Sequence, residues 1–265
     1  MAQPTPSKHE HRLLLATALL FVFGVVGHLI YPINAEIAKQ LIGSLGLHGN
    51  LGSHHFVDGR TWFGIPNAAD VLSNLPFVIF GIWGLALQAK WNKPSQRHLG
   101  REGFVLTLFF TGLIFTTIGS SLYHLAPSDS TLAWDRAGMA FAFAGVLGIA
   151  ASERISSRSG IWLSLTGLAA GTLSLIVWTQ TDDVLPWSVF QFGGMAMVLV
   201  LAFTKPISKS LGVSLFALIA YYAIAKVCEA NDHGLYEATG HWVSGHSLKH
   251  LVASLAASPV IVVFK

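Results

Sequence analysis

Residues 104–124, FVLTLFFTGLIFTTIGSSLYH, run for 21 positions without a Lys, Arg, Asp or Glu. About 20 mostly apolar residues in a helix cross the hydrocarbon core of a bilayer, so this stretch reads as a membrane span. Unlike a plain span, it closes on polar side chains, Ser120, Ser121 and His124. Seven more apolar runs of similar size surround it: roughly Leu13 to Ile33, Val71 to Ala89, Leu132 to Ala151, Ile161 to Thr179, Trp187 to Thr204, Leu211 to Cys228 and Val243 to Val263. The segments between them are rich in Gly, Pro, Asn, Ser or charge. Only the connection ahead of Val71 is long enough to hold a short helix of its own. The pattern predicts an all-α integral membrane protein of eight spans.

The composition excludes the other broad classes. Hydrophobic residues make up 52% of the 265 and charged residues only 11%, against about 25% charged in soluble domains. The formal charge of +3 comes from 16 Lys and Arg against 13 Asp and Glu. The basic residues form no cluster that would track a phosphate backbone, which argues against nucleic acid. Cys228 is the single cysteine and sits in an apolar run, so an intrachain disulfide framework and a thiolate metal cluster are both excluded. No repeat, low-complexity tract or linker divides the chain, and no obligate protein partner is evident. The organisation read from the sequence is a tail (1–12), a first span (13–33), a connecting segment (34–70) and a seven-span membrane domain (71–265).

Orientation follows from loop charge, because Lys and Arg accumulate in cytoplasmic loops. The side that holds both termini carries Lys8, Arg12, Lys90, Lys93, Arg97, Arg101, Arg154, Arg158, Lys205, Lys209 and Lys265, which is 11 basic residues against three acids. The opposite side carries Lys39, Arg60, Arg136, Lys226 and Lys249 against ten acids. Both termini are therefore expected in the cytoplasm. Lys8 and Arg12 ahead of an apolar stretch also suit a secretory signal, but a small-residue cleavage site after Gly27 is missing, so an uncleaved span is the reading adopted.

Ionisable groups inside spans are expensive and are candidates for function by default. Asp70 opens the second span, His124 closes the third, Asp135 and Arg136 open the fourth, Lys226 and Glu229 close the seventh, and His246, Lys249 and His250 open the eighth. Alternate spans run in opposite directions, so these five places share one layer near the outer face. His246 and His250 are four apart and lie on one helix face. With 12 histidines in the chain, chance alone supplies about half of one such pair. His124 at the same depth strengthens the pair, since three histidines and an open position make a catalytic zinc site. Ser120 lies one turn before His124 on the same face; its ordinary role would be a hydrogen bond within or between helices. Asp135, eleven residues after His124, reads either as an acid at a helix start paired with Arg136 or as a base beside the metal. Lys226 and Glu229 are expected to pair and steady the last span. Ser73 and Asn74 read as hydrogen-bonding glue between helices. The block His54 to Arg60 reads as a solvated loop rather than a second metal site. His28, buried in the first span, reads as a satisfied core histidine, and a Phe-rich set (Phe77, Phe80, Phe109, Phe110, Phe115, Phe141, Phe143) as the interior.

The ordered set Asn67 to Leu75, Gly119-Ser120 through His124, Asp135, and Gly245 to His250 resembles the alkaline ceramidase family of the CREST membrane hydrolase superfamily. The stretches His54 to Pro66, Tyr123 to Pro127 and Trp134 to Arg136 are similar to bacterial ceramidase-like proteins. The resemblance covers about Asp58 to the end and implies a seven-helix intramembrane zinc amidase, here with one extra N-terminal span, in a bacterial inner membrane. It implies that His124, His246 and His250 hold zinc, that Asp135 holds the attacking water and that Ser120 stabilises the oxyanion. Its implied substrate is ceramide or a related N-acyl lipid, cleaved to a long-chain base and a fatty acid. Animal members carry an acidic calcium motif near the first helix of the match. Here Asp58 remains but the final acidic position is Asn67, which puts calcium in doubt. Other members of the superfamily act as receptors, so a lipid-sensing receptor or regulator is the main alternative, and a bis-histidine haem protein a third.

Overall fold

A computed structural model of the protein describes residues 7–33, 36–38, 40, 54–91, 99–208 and 210–264. Lys39, His48, Lys93, Arg97, His98, Lys209 and Lys265 lie outside the described residues. Among the described residues every regular element is a helix, and Trp62 and Ile65 form an isolated β-bridge.

The helices whose bounds lie among the described residues are α1 (Lys8–Ile30), α2 (Ala68–Leu72), α3 (Leu75–Trp91), α4 (Gly100–Leu125), α5 (Asp129–Arg154), α6 (Ser157–Thr181), α7 (Leu185–Ala202), α8 (Leu215–Ala230), α9 (Asp232–Ala238) and α10 (Gly245–Phe264). Serines begin many of them. Ser7, Ser128, Ser156, Ser214 and Ser244 each accept a hydrogen bond from the backbone N–H three residues on, the standard remedy for the unpaired donors of a helix start. Pro76 cannot donate to Leu72, and the chain accordingly breaks into a turn at Ser73-Asn74 between α2 and α3. Helix α7 contains a π-helical turn at Val189–Gly193, and α10 tightens into a 3-10 turn at Leu255–Ala257 before Pro259.

Among the described residues seven helical segments are long and apolar enough to cross a membrane: α1, α2 with α3, α4, α5, α6, α7 and α10. They fit a multi-pass membrane protein. Outward-facing Ile79, Ile82, Leu173, Val200 and Val227 present the apolar surface that such a setting calls for and that water-soluble proteins avoid in quantity. The expected seventh span, Leu211 to Cys228, is only partly helical. Helix α8 has 16 residues, or about 24 Å at 1.5 Å per residue. The chain ahead of it turns through Gly212 at φ +90°. Buried Glu153 at the end of α5 accepts the backbone N–H groups of Leu211 (2.8 Å) and Gly212 (3.0 Å). A carboxylate thus replaces the first helical turn.

Helices α4 and α5 form the central pair. A Cβ on Gly119 would fall 2.2 Å from the carbonyl oxygen of Trp134, and one on Gly138 would fall 2.6 Å from the backbone of Phe115. Small residues here let the two backbones touch, a common device between membrane helices. Phe110, Leu106, Ile149, Val198, Leu215 and Leu218 fill the core around the pair. Of the phenylalanines expected inside, Phe77, Phe109 and Phe110 are buried, whereas Phe115 is 41% exposed and rests edge-on against Phe141.

Candidate metal centre

The touching of α4 and α5 brings Ser120, His124 and Asp135 to one end of the bundle, where α10 meets them. The start of α10 is fixed from two sides. The carboxylate of buried Asp70 accepts hydrogen bonds from Ser247 Oγ (2.6 Å) and Ser244 Oγ (3.3 Å), and Asp232 Oδ1 accepts the backbone N–H of His246 (2.8 Å). Negative charge is favourable at a helix N-terminus, where backbone N–H groups point outward. Burial pushes the Asp232 carboxyl above the ordinary carboxylate range, and the His246 N–H pulls it back. Gly245 makes the approach possible, since a Cβ there would stand 2.2 Å from the carbonyl oxygen of Cys228.

The three histidines meet. Ring centroids are 4.9 Å apart for His124 and His246, 5.1 Å for His124 and His250, and 4.9 Å for His246 and His250. One nitrogen from each lies within 4.8 Å of the others. His250 has a determinable tautomer. Ser73 donates its single hydroxyl proton to the carbonyl of Asp70 (2.9 Å), so at 2.8 Å it accepts from His250 Nδ1. The lone pair on His250 is therefore at Nε2, free for a cation, the arrangement by which an outer hydrogen bond orients a metal-ligating imidazole. His124 is 1% exposed, and among the described residues neither of its ring nitrogens has a hydrogen-bond partner. Buried polar nitrogens without partners are costly, and a metal ion would engage one of them. His246 Nε2 accepts from Lys249 Nζ at 3.0 Å, and the same ammonium donates to Glu229 Oε1 at 3.0 Å. Glu229 would keep Lys249 paired were a metal to take the imidazole. The three imidazoles form an all-nitrogen donor set that could hold a metal ion.

Ser120 is buried and hydrogen-bonds to the Asp135 carboxylate, which also feels the charges of Lys249 and Arg136. An ion pair with Arg136, one of the readings open for Asp135, does not form. Adjacent helix residues point about 100° apart, and Arg136 lies flat over Trp178 at 4.0 Å. Lys226 and Glu229 do pair, at 2.6 Å, and Lys249 extends the pair to α10.

Ser73 links α2 to α10 as glue, whereas Asn74 turns back and donates to Asp70 O on its own helix. Asp183 lies 2.6 Å from His28 Nδ1 and so partners one of its two ring nitrogens.

The segment His54 to Arg60 departs from the solvated loop expected of it. Asp58 is fully buried and holds Arg60 through two bonds of 2.7 Å, and Arg60 Nη2 reaches the carbonyl of Trp242 at 2.8 Å. Phe56 lies over the histidines, 4.6 Å from the His124 ring and 5.7 Å from that of His246. Asn67, in the left-handed region at φ 47°, donates to the carbonyl of His124 at 2.8 Å. The Asp58 carboxylate and the Asn67 amide, the two residues considered for calcium, are thus engaged by Arg60 and by α4. Phe56 and Asp232 escaped the sequence reading. The only signal for Phe56 was an aromatic in a polar stretch, and for Asp232 an acid in the turn before the histidine helix. No protein-family model matches the chain, and no curated protein matches it.

Proposed function

We propose that the chain is a zinc-dependent membrane hydrolase of the alkaline ceramidase kind, cleaving the amide of a ceramide or similar N-acyl lipid to a long-chain base and a fatty acid. The observation that carries this reading is the meeting of three inward histidines, one with both ring nitrogens unpartnered, beside Ser120 and Asp135. Bound by His124, His246 and His250, zinc would supply Lewis acidity, polarising a carbonyl and making water acidic enough to attack near neutral pH. Asp135 accepts the proton of the attacking water. Ser120 donates its hydroxyl to the carbonyl oxygen as charge gathers there, which a dry site rewards more than water does. Phe56 keeps outer water off the histidines, and Glu229 and Lys226 hold Lys249 and the start of α10 in register.

The topology that goes with this reading has eight spans with α8 included, both termini in the cytoplasm, and the histidine layer toward the opposite face of a bacterial inner membrane. Loop charge supports it. Reporter fusions at Lys205 and Asp182 should lie on opposite sides.

The test is zinc content and product release by purified protein over a panel of N-acyl lipids. Wild type should carry one zinc and release fatty acid. His246→Ala should lose both. Ser120→Ala should keep zinc and slow by about 10² to 10³, the usual effect of removing one oxyanion donor. Asp135→Asn should keep zinc, slow further and change the pH profile. Zinc-loaded protein that binds these lipids and releases nothing would turn the reading toward a lipid-sensing receptor.

A further inference from the structure

Away from the histidines, α1, α6 and α7 flank a half-open slot of about 110 Å3 that Leu147 of α5 also lines. Along α1 it runs from Thr17 to His28, eleven residues or about 16 Å of helix. A single hydrocarbon chain spans half of a core about 30 Å thick, so the slot has the length of one extended acyl chain. Its walls are apolar. The hydroxyls of Thr17, Thr166 and Ser174 line it, but each donates to a carbonyl of its own helix. The π-helical turn of α7 borders it through Val189 and Phe190, and such turns recur at functional sites.

One polar group at the outer end is different. His28 gives Nδ1 to the Asp183 carboxylate at 2.6 Å, and Asp183 is itself fixed by the N–H groups of Ile33 (2.9 Å) and Leu185 (2.8 Å). The ring is thereby oriented, and its Nε2 is the atom left for a ligand. A carboxyl group suits that atom in either protonation form. As an acid it donates to the bare nitrogen; as a carboxylate it accepts from the protonated one.

From this geometry we infer that the slot binds a free long-chain fatty acid, its carboxyl end at His28 Nε2 and its chain between α1, α6 and α7. The site is separate from the histidine centre and does not depend on the amidase reading.

The test uses the purified full-length protein in nanodiscs and palmitic acid carrying a mid-chain diazirine. Photolabelling should map to α1, α6 and α7 by mass spectrometry. Excess palmitic acid should displace it, and methyl palmitate should compete at least tenfold less well. Gly194→Leu places bulk in the slot, and its Cβ meets only the Leu147 side chain, at an ordinary 3.5 Å. It should weaken labelling at least tenfold, as should Gly24→Leu, whose Cβ meets Val189 at 3.5 Å. Labels spread over outward residues such as Ile79 and Val200 and indifferent to competitor would overturn the proposal, as would wild-type labelling of both leucine variants. If neither variant folds, the competition pattern of the wild type decides.

Discussion

Ser73 and His250, 177 residues apart in sequence, are joined by a 2.8 Å hydrogen bond in which the serine, its own proton committed to Asp70, accepts from the imidazole. That bond selects which nitrogen of His250 carries a lone pair. Ser73→Ala should leave the fold in place and weaken zinc binding about 10- to 100-fold, the range typical of losing a partner behind a ligand. Chelator competition at equilibrium measures it; unchanged affinity would mean that His250 is oriented by packing alone.

Gly119 governs the separation of Ser120 from Asp135. A methyl group there meets the Trp134 carbonyl at 2.2 Å, so Gly119→Ala should push α4 from α5 and destabilise by about 1–3 kcal/mol, as overpacking does. Turnover should fall by more than the loss of folded protein explains. Thermal unfolding in parallel with rate per folded molecule separates the two effects.

Glu229 balances two ammonium groups. In Glu229→Gln, Lys226 and Lys249 face each other without their shared acid. Each side chain is 18–32% exposed, so the loss should be about 1–2 kcal/mol, less than for a fully buried pair. Adding Lys226→Met should recover part of it. A double variant no more stable than the single one would argue that Glu229 acts on something other than these charges.

Phe56 closes the site from the loop side. Phe56→Ala should speed the loss of zinc to a chelator while leaving equilibrium affinity within a few-fold of wild type, because no ligand is removed. Stopped-flow stripping with a coloured chelator reads the rate, and an unchanged rate would show that access runs elsewhere.

Much of the candidate site was legible because charge inside an apolar run is conspicuous. Asp70, His124, Asp135, Glu229, His246 and His250 stand out against their neighbours, and helix direction alone assigns them to one layer. What was illegible lies in loops and at helix ends. Asp58 and Arg60 look like surface residues until they meet each other and the Trp242 carbonyl. The partner of His28 is 155 residues away on a connection whose path no periodicity records. The start of α8 was misjudged because Leu211 to Ser214 is apolar enough for a span, yet Gly212 and the Glu153 carboxylate give its backbone a non-helical alternative.

That alternative has a consequence for the surrounding lipid. With α8 counted as a span, its 16 helical residues reach about 24 Å across a core of about 30 Å. The far end of α8 is tied to α10 through Glu229 and Lys249, so tilting cannot redistribute the shortfall freely. On that count the deficit would fall where Glu153 holds the chain, and the leaflet there would have to dimple or recruit shorter chains to match it. Bilayer thickness thereby becomes a variable that acts on the fold from outside, and thin membranes should favour it over thick ones.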